Sequence, residues 1–562
     1  MTTRNPRATL FAASALAVFL LAPVSGGAET RTESVIVQAP SFHEALNAVN
    51  EVGGTITHQL GIIRAVSAEL TSDQIRALED SAVRLRIHSN STAELTGKGS
   101  KGGRGAGGSG GGGGAAGNTY YPGLIGADRL HAEGVTGHGV TIAVLDSGLW
   151  PDSDVLLRPD GGLRFLGSYD VLTGKVNGAS DAYGHGTHVT GIALSRRSGQ
   201  NGFDGIAPNA DLVFVRAFDE TGRGTYANVI AGLQWILDHR DTYGIRVANL
   251  SFSAEPQSYY WDDPINQAVM ELWRSGIVIV ASAGNRGPKA MTIGVPGNLP
   301  YVITVGAMTD NFTPEDPADD VLASFSSAGP TVEGFVKPEL VAPGGHARAL
   351  MDKQSTIAKD HPEFHDGAYY FQMSGTSQAA AVVTGTVALM LEQSPQLTPD
   401  EVKYRLMAAA QPAQFGSGSP VYTVFQQGAG LVQAYNAVHS TASGSVNQSM
   451  DIDLDIAGIL HYRGPADAYA KRGKNGGFTF FLRDANGNPV EDDGYLWNDQ
   501  YVFQDGFMWN DGYLWNDGFL WNDGYLWNDG FLWNDGYLWN DGYLWNDLHT
   551  EALFTESWVE QE

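Results

Sequence analysis

VTIAVLDSG, residues 140–148, is a short apolar run, rich in β-branched residues, that ends in an aspartate, a serine and a glycine. Such a run reads as a strand buried on both faces, the kind found in parallel sheets. It would carry Asp146 to the strand's carboxyl end. Two later segments supply companions: YGHGTHVTG (183–191) brings His185, and MSGTSQAAA (373–381) brings Ser377. Aspartate, histidine and serine follow one another at separations of 39 and 192 residues, each beside small residues that let backbone crowd a reacting centre. This is one of the chain orders in which the serine-hydrolase triad recurs. Taken singly, each segment has a plainer reading. Asp146 could be a turn former at a strand end, and Ser377 a helix N-cap. HxxH at 185–188 could suggest zinc, although no further ligand set with zinc-like spacing follows. Together the three segments predict a serine hydrolase.

Working outward, DLVFVRAF (211–218), RVANLSF (246–252), IVIVASAG (277–284) and YVITVGA (301–307) repeat the buried-strand pattern. Between them, YANVIAGLQWILDHR (226–240) and INQAVMELWRSG (265–276) read as helices. The alternation predicts an α/β fold, a doubly wound, mostly parallel sheet with its site at the carboxyl ends of the strands. QAAAVVTGTVALMLEQ (378–393) is long, apolar and free of proline, so Ser377 should open a helix, where N–H groups and the positive dipole end favour developing negative charge. LTPDEVKYRLMAAA (397–410) is a capped helix.

At 562 residues the chain can hold two or more domains. It has no cysteine, so no disulfide stabilises it. The net charge of −28 favours solubility and argues against nucleic acid or anionic membrane as partners. Arg4 and Arg7 precede ATLFAASALAVFLLA (8–22), and SGGA (25–28) offers small residues for cleavage. This is a signal-peptide pattern, too short for a membrane span, and predicts secretion. Residues 34–89 read as strand, helix, two strands, helix and strand, a ferredoxin-like βαββαβ order. Ser41 is placed to cap the first helix, with Glu44 completing a capping box and Gly53 ending it; Thr71 caps the second. GKGSKGGRGAGGSGGGGGAAG (97–117) is a flexible, basic linker and a candidate processing site.

From Asp493 to Asp547 a hexapeptide W-N-D-G-Y/F-L/M repeats. Its period is even, so an extended chain would place Trp, Asp and Tyr/Phe on one face. Asn-Asp-Gly is a turn signal in every unit. Two readings stay open: a low-complexity tail, or a short β-solenoid whose aromatic and acidic face binds glycan or a cell surface.

The three catalytic segments resemble those of the subtilisin-like serine proteases, the subtilases. The likeness runs from about residue 120 to 440. GIAPNADL (205–212), ANLSFS (248–253), IVIVASAGN (277–285), SSAGP (326–330), KPELVAPG (337–344) and GAGLVQAYNAV (428–438) fall in family order between and after them. The resemblance implies a serine endopeptidase with Asp146, His185 and Ser377 as triad, Asn285 as oxyanion donor, and His188 as a packed neighbour of His185. It implies cleft walls at Gly222, Arg223 and Gly224 on one side and Ser251, Phe252 and Ser253 on the other, with an extended substrate paired between them. No metal or cofactor is implied for the chemistry. Structural calcium is common in the family, and Asn201–Asp204 could supply ligands.

Two departures stand out. Gln378 and Ala381 replace the family's usual methionine and proline after the serine, and LSFSAEP (250–256) lacks the glycines usual beside the primary specificity pocket. Residues 345–370, with His346, His361 and His365, read as an inserted exposed loop rather than a metal site.

The resulting map is a signal peptide at 1–28, an inhibitory propeptide at 33–92, a glycine-rich linker at 93–117, and a subtilisin-like catalytic domain at 118–441. A connecting segment (442–492), the repeats (493–547) and a tail (548–562) follow. The expected protein is a secreted zymogen whose partners are peptide substrates and its own propeptide. The alternatives are an inactive subtilase fold that binds a surface or glycan through its repeats, and an acyl hydrolase or transferase on the same fold.

Overall fold

A computed structural model describes residues 31–90, 119–470 apart from 179, 200–201, 314–315, 317 and 416–419, then 478–483, 489–490 and 553–555. The signal-peptide run, the linker and the hexapeptide repeats lie outside the described residues.

The central sheet is built from the apolar runs read in the sequence. Its parallel strands lie in the order Ile303–Thr309, Val278–Ser282, Ile245–Leu250, Thr141–Asp146, Asp211–Arg216 and Phe165–Asp170. Leu340–Pro343 joins in parallel beside Ile303–Thr309, and short antiparallel strands, Val321–Leu322 and Lys175–Val176, edge the sheet. Every residue of Thr141–Asp146 and Val278–Ser282 is buried; each fully buried Val, Ile or Leu there contributes about 1.5–3 kcal/mol. Phe165–Asp170 was not legible as a strand because, near the edge and half-exposed, it carries no continuous apolar run. Strand order reverses at Thr141–Asp146: the chain builds one side of it and then crosses to the other. Such a switch point is where open α/β sheets place their sites.

Three helices position the site. His185–Leu194 is buried along its whole length, and Thr376–Gln393 is buried from Thr376 to Leu391. Burial on every side suits helices that run through a core. The second packs against the first and against five of the parallel strands. Pro399–Ala409 starts with a full capping box from Thr398 and Glu401. Beneath it lies a buried charge cluster: Glu339 Oε1 takes Lys337 Nζ at 2.7 Å and Lys403 Nζ at 2.9 Å, and Oε2 accepts from Thr304 N–H at 2.8 Å. This ties the Leu340–Pro343 strand, the sheet and the helix together.

Residues 32–89 form a four-stranded antiparallel sheet, ordered Thr55–Leu60, Ala65–Thr71, Thr32–Gln38 and Arg86–Ser89, with helices Phe42–Glu51 and Ser72–Glu79. Ser41 caps the first helix, but the capping box expected there does not close. Glu44 takes the Ser41 hydroxyl at 2.7 Å and leaves the cap's backbone N–H alone. The full box forms at Thr71 with Gln74. The module rests on helices Tyr226–Asp238 and Pro264–Arg274 of the central domain. Gln38 Nε2 donates to Gln267 Oε1 (2.6 Å), Ile62 N–H to Gln234 Oε1 (3.2 Å), and Asn90 Oδ1 accepts from Ala227 N–H (3.0 Å). Ile36, Leu60, Ile63 and Ala65 join the core of the central domain.

The stretch read as a connection, 442–492, has structure of its own. A small antiparallel sheet of Ala466–Ala470, Phe478–Arg483 and Pro489–Val490 follows the helix Ile452–Ile456. Asp455 accepts from the buried hydroxyls of Tyr260 (2.7 Å) and Tyr301 (2.9 Å), fixing this part to the central domain.

The stretch 345–370 departs from the exposed loop expected. Ala347–Leu350 pairs with Tyr370–Met373, and Met351, Ile357, Ala358, Phe371 and Met373 form a buried cluster between them. His346 is itself buried, with Nε2 2.6 Å from Asp310 Oδ1. Its apolar residues are spaced irregularly, so no period revealed the packing.

Candidate active site

Asp146 ends its strand fully buried and accepts from His185 Nδ1, 2.8 Å from Oδ1 and 3.0 Å from Oδ2. A carboxylate can only accept here, so Nδ1 carries the proton and Nε2 is left as the basic nitrogen. His185 is the first residue of His185–Leu194, and the Gly184 that precedes it has φ +107°. The two segments touch through bare backbone: a Cβ on Gly186 would lie 2.3 Å from the Gly148 carbonyl oxygen, and one on Gly148, at φ +147°, would lie 2.1 Å from that of Ser180. Only glycine fits either place.

Asp181 went unremarked in the sequence, yet it clamps the pair together. Its Oδ1 accepts from Gly184 N–H (2.8 Å) and Ser147 Oγ (3.0 Å), and its Oδ2 accepts from Thr187 N–H (2.9 Å) and Oγ1 (2.7 Å). Ser147 Oγ in turn accepts from Gly186 N–H at 3.0 Å. The available signal was an acid four residues ahead of a helix start, where carboxylates satisfy orphan N–H groups.

Ser377 lies fully buried in the first turn of Thr376–Gln393. It is not the N-cap; that position is Gly375. Its hydroxyl donates to Ser251 O at 3.0 Å, and Ser251 Oγ donates back to the Ser377 carbonyl at 3.1 Å. Ser251 is held by Asn249 Nδ2 at 2.8 Å, and Asn249 by Thr384 Oγ1 at 2.8 Å. The histidine and serine helices are stitched beside these residues. Gln378 Nε2 donates to His188 Nδ1 at 3.4 Å, and His188 Nε2 donates to Phe371 O at 3.0 Å. His188 is thus a neutral, packed residue, its pKa lowered to about 3 chiefly by burial. Gln378, the departure noted above, has a packing partner in it.

Asn285 follows Gly284, whose φ is +106°. Its Oδ1 accepts from Thr376 N–H at 3.0 Å and Thr376 Oγ1 at 3.1 Å, which fixes which way the amide faces. Its Nδ2 is buried and has no partner among the described residues. A donor held dry and unused beside the residue preceding Ser377 is able to meet charge that appears only during reaction.

The six cleft residues fall on two short strands or next to them. Arg223–Gly224 follows Gly222, Phe252–Ser253 follows Ser251, and the strand Leu553–Thr555 runs between them. Ser253 crowds Gly284 and Gly294. Its Oγ is buried without a partner among the described residues, and a Cβ on Gly294 would lie 1.9 Å from it, one on Gly284 3.0 Å. Arg286 pairs with Glu255 nearby.

No group of three or more His, Asp or Glu that could hold a metal ion occurs among the described residues. In the stretch suggested for calcium, Asn201 lies outside the described residues. Both carboxylate oxygens of Asp204 already accept hydroxyls, from Thr119 at 2.6 Å and from Tyr370.

Residues 137–434 match the model of the subtilase family. Serine protease AprX of Bacillus subtilis is 39% identical over 311 residues, covering 54% of this chain and 67% of that one. Subtilisin DY of Bacillus licheniformis is 32% identical over 289 residues, covering 51% and 89%. A thermostable alkaline protease of Halalkalibacterium halodurans is 26% identical over 411 residues, covering 72% and 95%. Among solved structures, fervidolysin from Fervidobacterium pennivorans, a keratinolytic enzyme related to subtilisin, superposes with a TM-score of 0.54 at 22% identity, covering 81% of this chain and 68% of its own. That likeness is one of fold.

Proposed function

The chain belongs to the subtilase family and is a subtilisin-like serine endopeptidase, and we propose that it cleaves peptide bonds through Asp146, His185, Ser377 and Asn285 after release from an N-terminal inhibitory module. The observations that support the assignment are two pairings at the starts of two helices, Asp146 with His185 and Asn285 with Thr376, the helices being tied together by Gln378 and His188. Asp146 holds His185 by Nδ1, and Asn285 holds the start of the serine helix by Oδ1 while its buried Nδ2 has no partner among the described residues.

The chemistry follows from these positions. Ser377 Oγ attacks the scissile carbonyl while His185 Nε2 takes its proton, because a serine hydroxyl is a poor nucleophile at its own pKa. Asp146 fixes the tautomer and stabilises the imidazolium; its full burial strengthens that interaction. The oxyanion is met by Asn285 Nδ2 and by the backbone N–H of Ser377 in the helix's first turn. His185 then gives its proton to the leaving amine, and water repeats the sequence to release the acyl group.

The module at 32–89 serves as the propeptide in this reading. Its support is its seat on the two helices that follow the cleft strands, with Asn90 bonded to Ala227 three residues beyond Gly224. Export rests on the basic and apolar pattern of residues 4–28.

The test is Ser377→Ala in the full chain, followed for release of the N-terminal module and for hydrolysis of an unfolded protein. Both are expected in the parent and neither in the variant, with kcat down by about 10⁶. Hydrolysis that survives the substitution would remove the assignment.

A further inference from the structure

The two cleft strands, Arg223–Gly224 and Phe252–Ser253, are joined by a strand from the far end of the chain. Leu553–Thr555 is the middle member of a three-stranded antiparallel sheet. Gly224 stands opposite Leu553, Arg223 and Ser253 opposite Phe554, and Phe252 opposite Thr555. Short strands with open edges offer their N–H and C=O groups to any extended peptide, which binds by strand addition.

The direction of the added strand is informative. Numbers rise from Phe554 to Thr555 as their partners fall from Ser253 to Phe252, so the chain runs toward Ser251. Ser251 is the residue that exchanges hydrogen bonds with Ser377. A peptide about to be cleaved presents the residues ahead of its scissile carbonyl in the same sense, amino to carboxyl toward the nucleophile. The strand therefore lies as the acyl half of a substrate would lie.

We propose that Leu553–Thr555 is an internal, substrate-like occupant of the cleft that holds the protein in a self-inhibited state by competing with peptide substrates. The proposal rests on the protease reading above. It is separate from inhibition by the N-terminal module, which bears on helices Tyr226–Asp238 and Pro264–Arg274 through Gln38 and Ile62. A tethered segment has an effective concentration on the order of 1 mM. Against an affinity on the order of 0.1 mM, within the usual range for substrates, it raises the apparent KM about tenfold and leaves kcat alone.

Phe554 stands opposite both Arg223 and Ser253, and Phe554→Pro in the full chain removes a ladder N–H that a middle strand cannot spare. A second form ends at Leu548. With the N-terminal module released, both should hydrolyse a short chromogenic peptide with KM about tenfold below the parent's and kcat unchanged. A synthetic peptide of residues 549–562, added in trans, should raise the KM of the shortened form. Equal KM in parent and variants would overturn the proposal. So would loss of the last residues from the parent but not from Ser377→Ala, which would make the strand a spent substrate rather than a standing inhibitor. Binding of a labelled peptide to Ser377→Ala, with and without Phe554→Pro, separates this inference from the one beneath it. Tighter binding with Phe554→Pro, but no hydrolysis by any active-serine form, would keep the occupied cleft and remove the protease reading. Unchanged binding, with hydrolysis intact, would do the reverse.

Discussion

Replacing Asn285 by alanine removes one amide whose two ends have opposite effects on stability. Oδ1 accepts two hydrogen bonds from Thr376, at 3.0 and 3.1 Å, and losing each costs about 1 kcal/mol. Nδ2 is buried without a partner among the described residues, and removing such a donor relieves about 1–3 kcal/mol of desolvation. The two changes offset, so Tm should move by no more than about 4 °C. Catalysis has no such offset. The scissile oxygen carries its full charge only in the transition state, so loss of one donor there should cost about 3–4 kcal/mol, lowering kcat about 10²–10³-fold with KM little changed. The assay is kcat and KM on a chromogenic peptide, with active sites titrated and the melt recorded on the same preparation. Asn285→Asp serves as the companion, since it keeps the acceptor for Thr376 and replaces the donor by an anion; its kcat should fall at least as far. A kcat for Asn285→Ala close to the parent's, at normal Tm, would refute the oxyanion role. A large drop in Tm would show instead that Oδ1 matters more than Nδ2.

Other substitutions probe the frame around the site. Glu339→Gln leaves the ammoniums of Lys337 and Lys403 buried without their counter-charge; it should destabilise the fold by about 3–5 kcal/mol in urea titration. Burial already holds the Lys337 pKa down to about 7, so that loss should shrink above pH 8, where the amine sheds its proton. His188 has its pKa lowered to about 3 by burial, so between that value and about 6.5 the unfolded chain binds the extra proton. Its stability contribution is complete above that window and is lost as pH falls through it, by about 3 kcal/mol at pH 4.5. Asp263 and Asp400, raised to about 6 by burial, act in the opposite sense. The difference between parent and His188→Gln, in urea at pH 7 and 4.5, isolates the histidine, and equal pH dependence of the two would contradict the assignment. Ser253→Gly should open space beside Gly284 and Gly294. It should shift kcat/KM toward peptides with larger side chains beside the scissile bond, by roughly tenfold for one added methylene-sized space; an unchanged preference profile would place the specificity pocket elsewhere.

What could be read in the chain by itself was whatever is written within a few residues. The run 140–146 declares a buried strand by composition, Thr398 and Glu401 declare a helix start by spacing, and the glycines around Asp146, His185 and Asn285 mark places where backbone must approach closely. These patterns carry the sheet, its helices and the candidate catalytic residues, because each is enforced by local sterics and by burial of one element's own surface. The rest depends on groups that meet only after the chain has folded. Asp181 becomes a clamp only when the helix start at His185 is brought against Ser147. Gln378 gains its partner only when two helices cross, and the Asn285 amide is oriented by Thr376, 91 residues away. The buried stretch after Gly345 has no period to betray it. The pairing of Arg223 with Phe554 is more distant still: strand addition is made by backbone groups that every residue carries, so no side-chain pattern announces it, and only the tertiary structure decides which segment lies in the cleft.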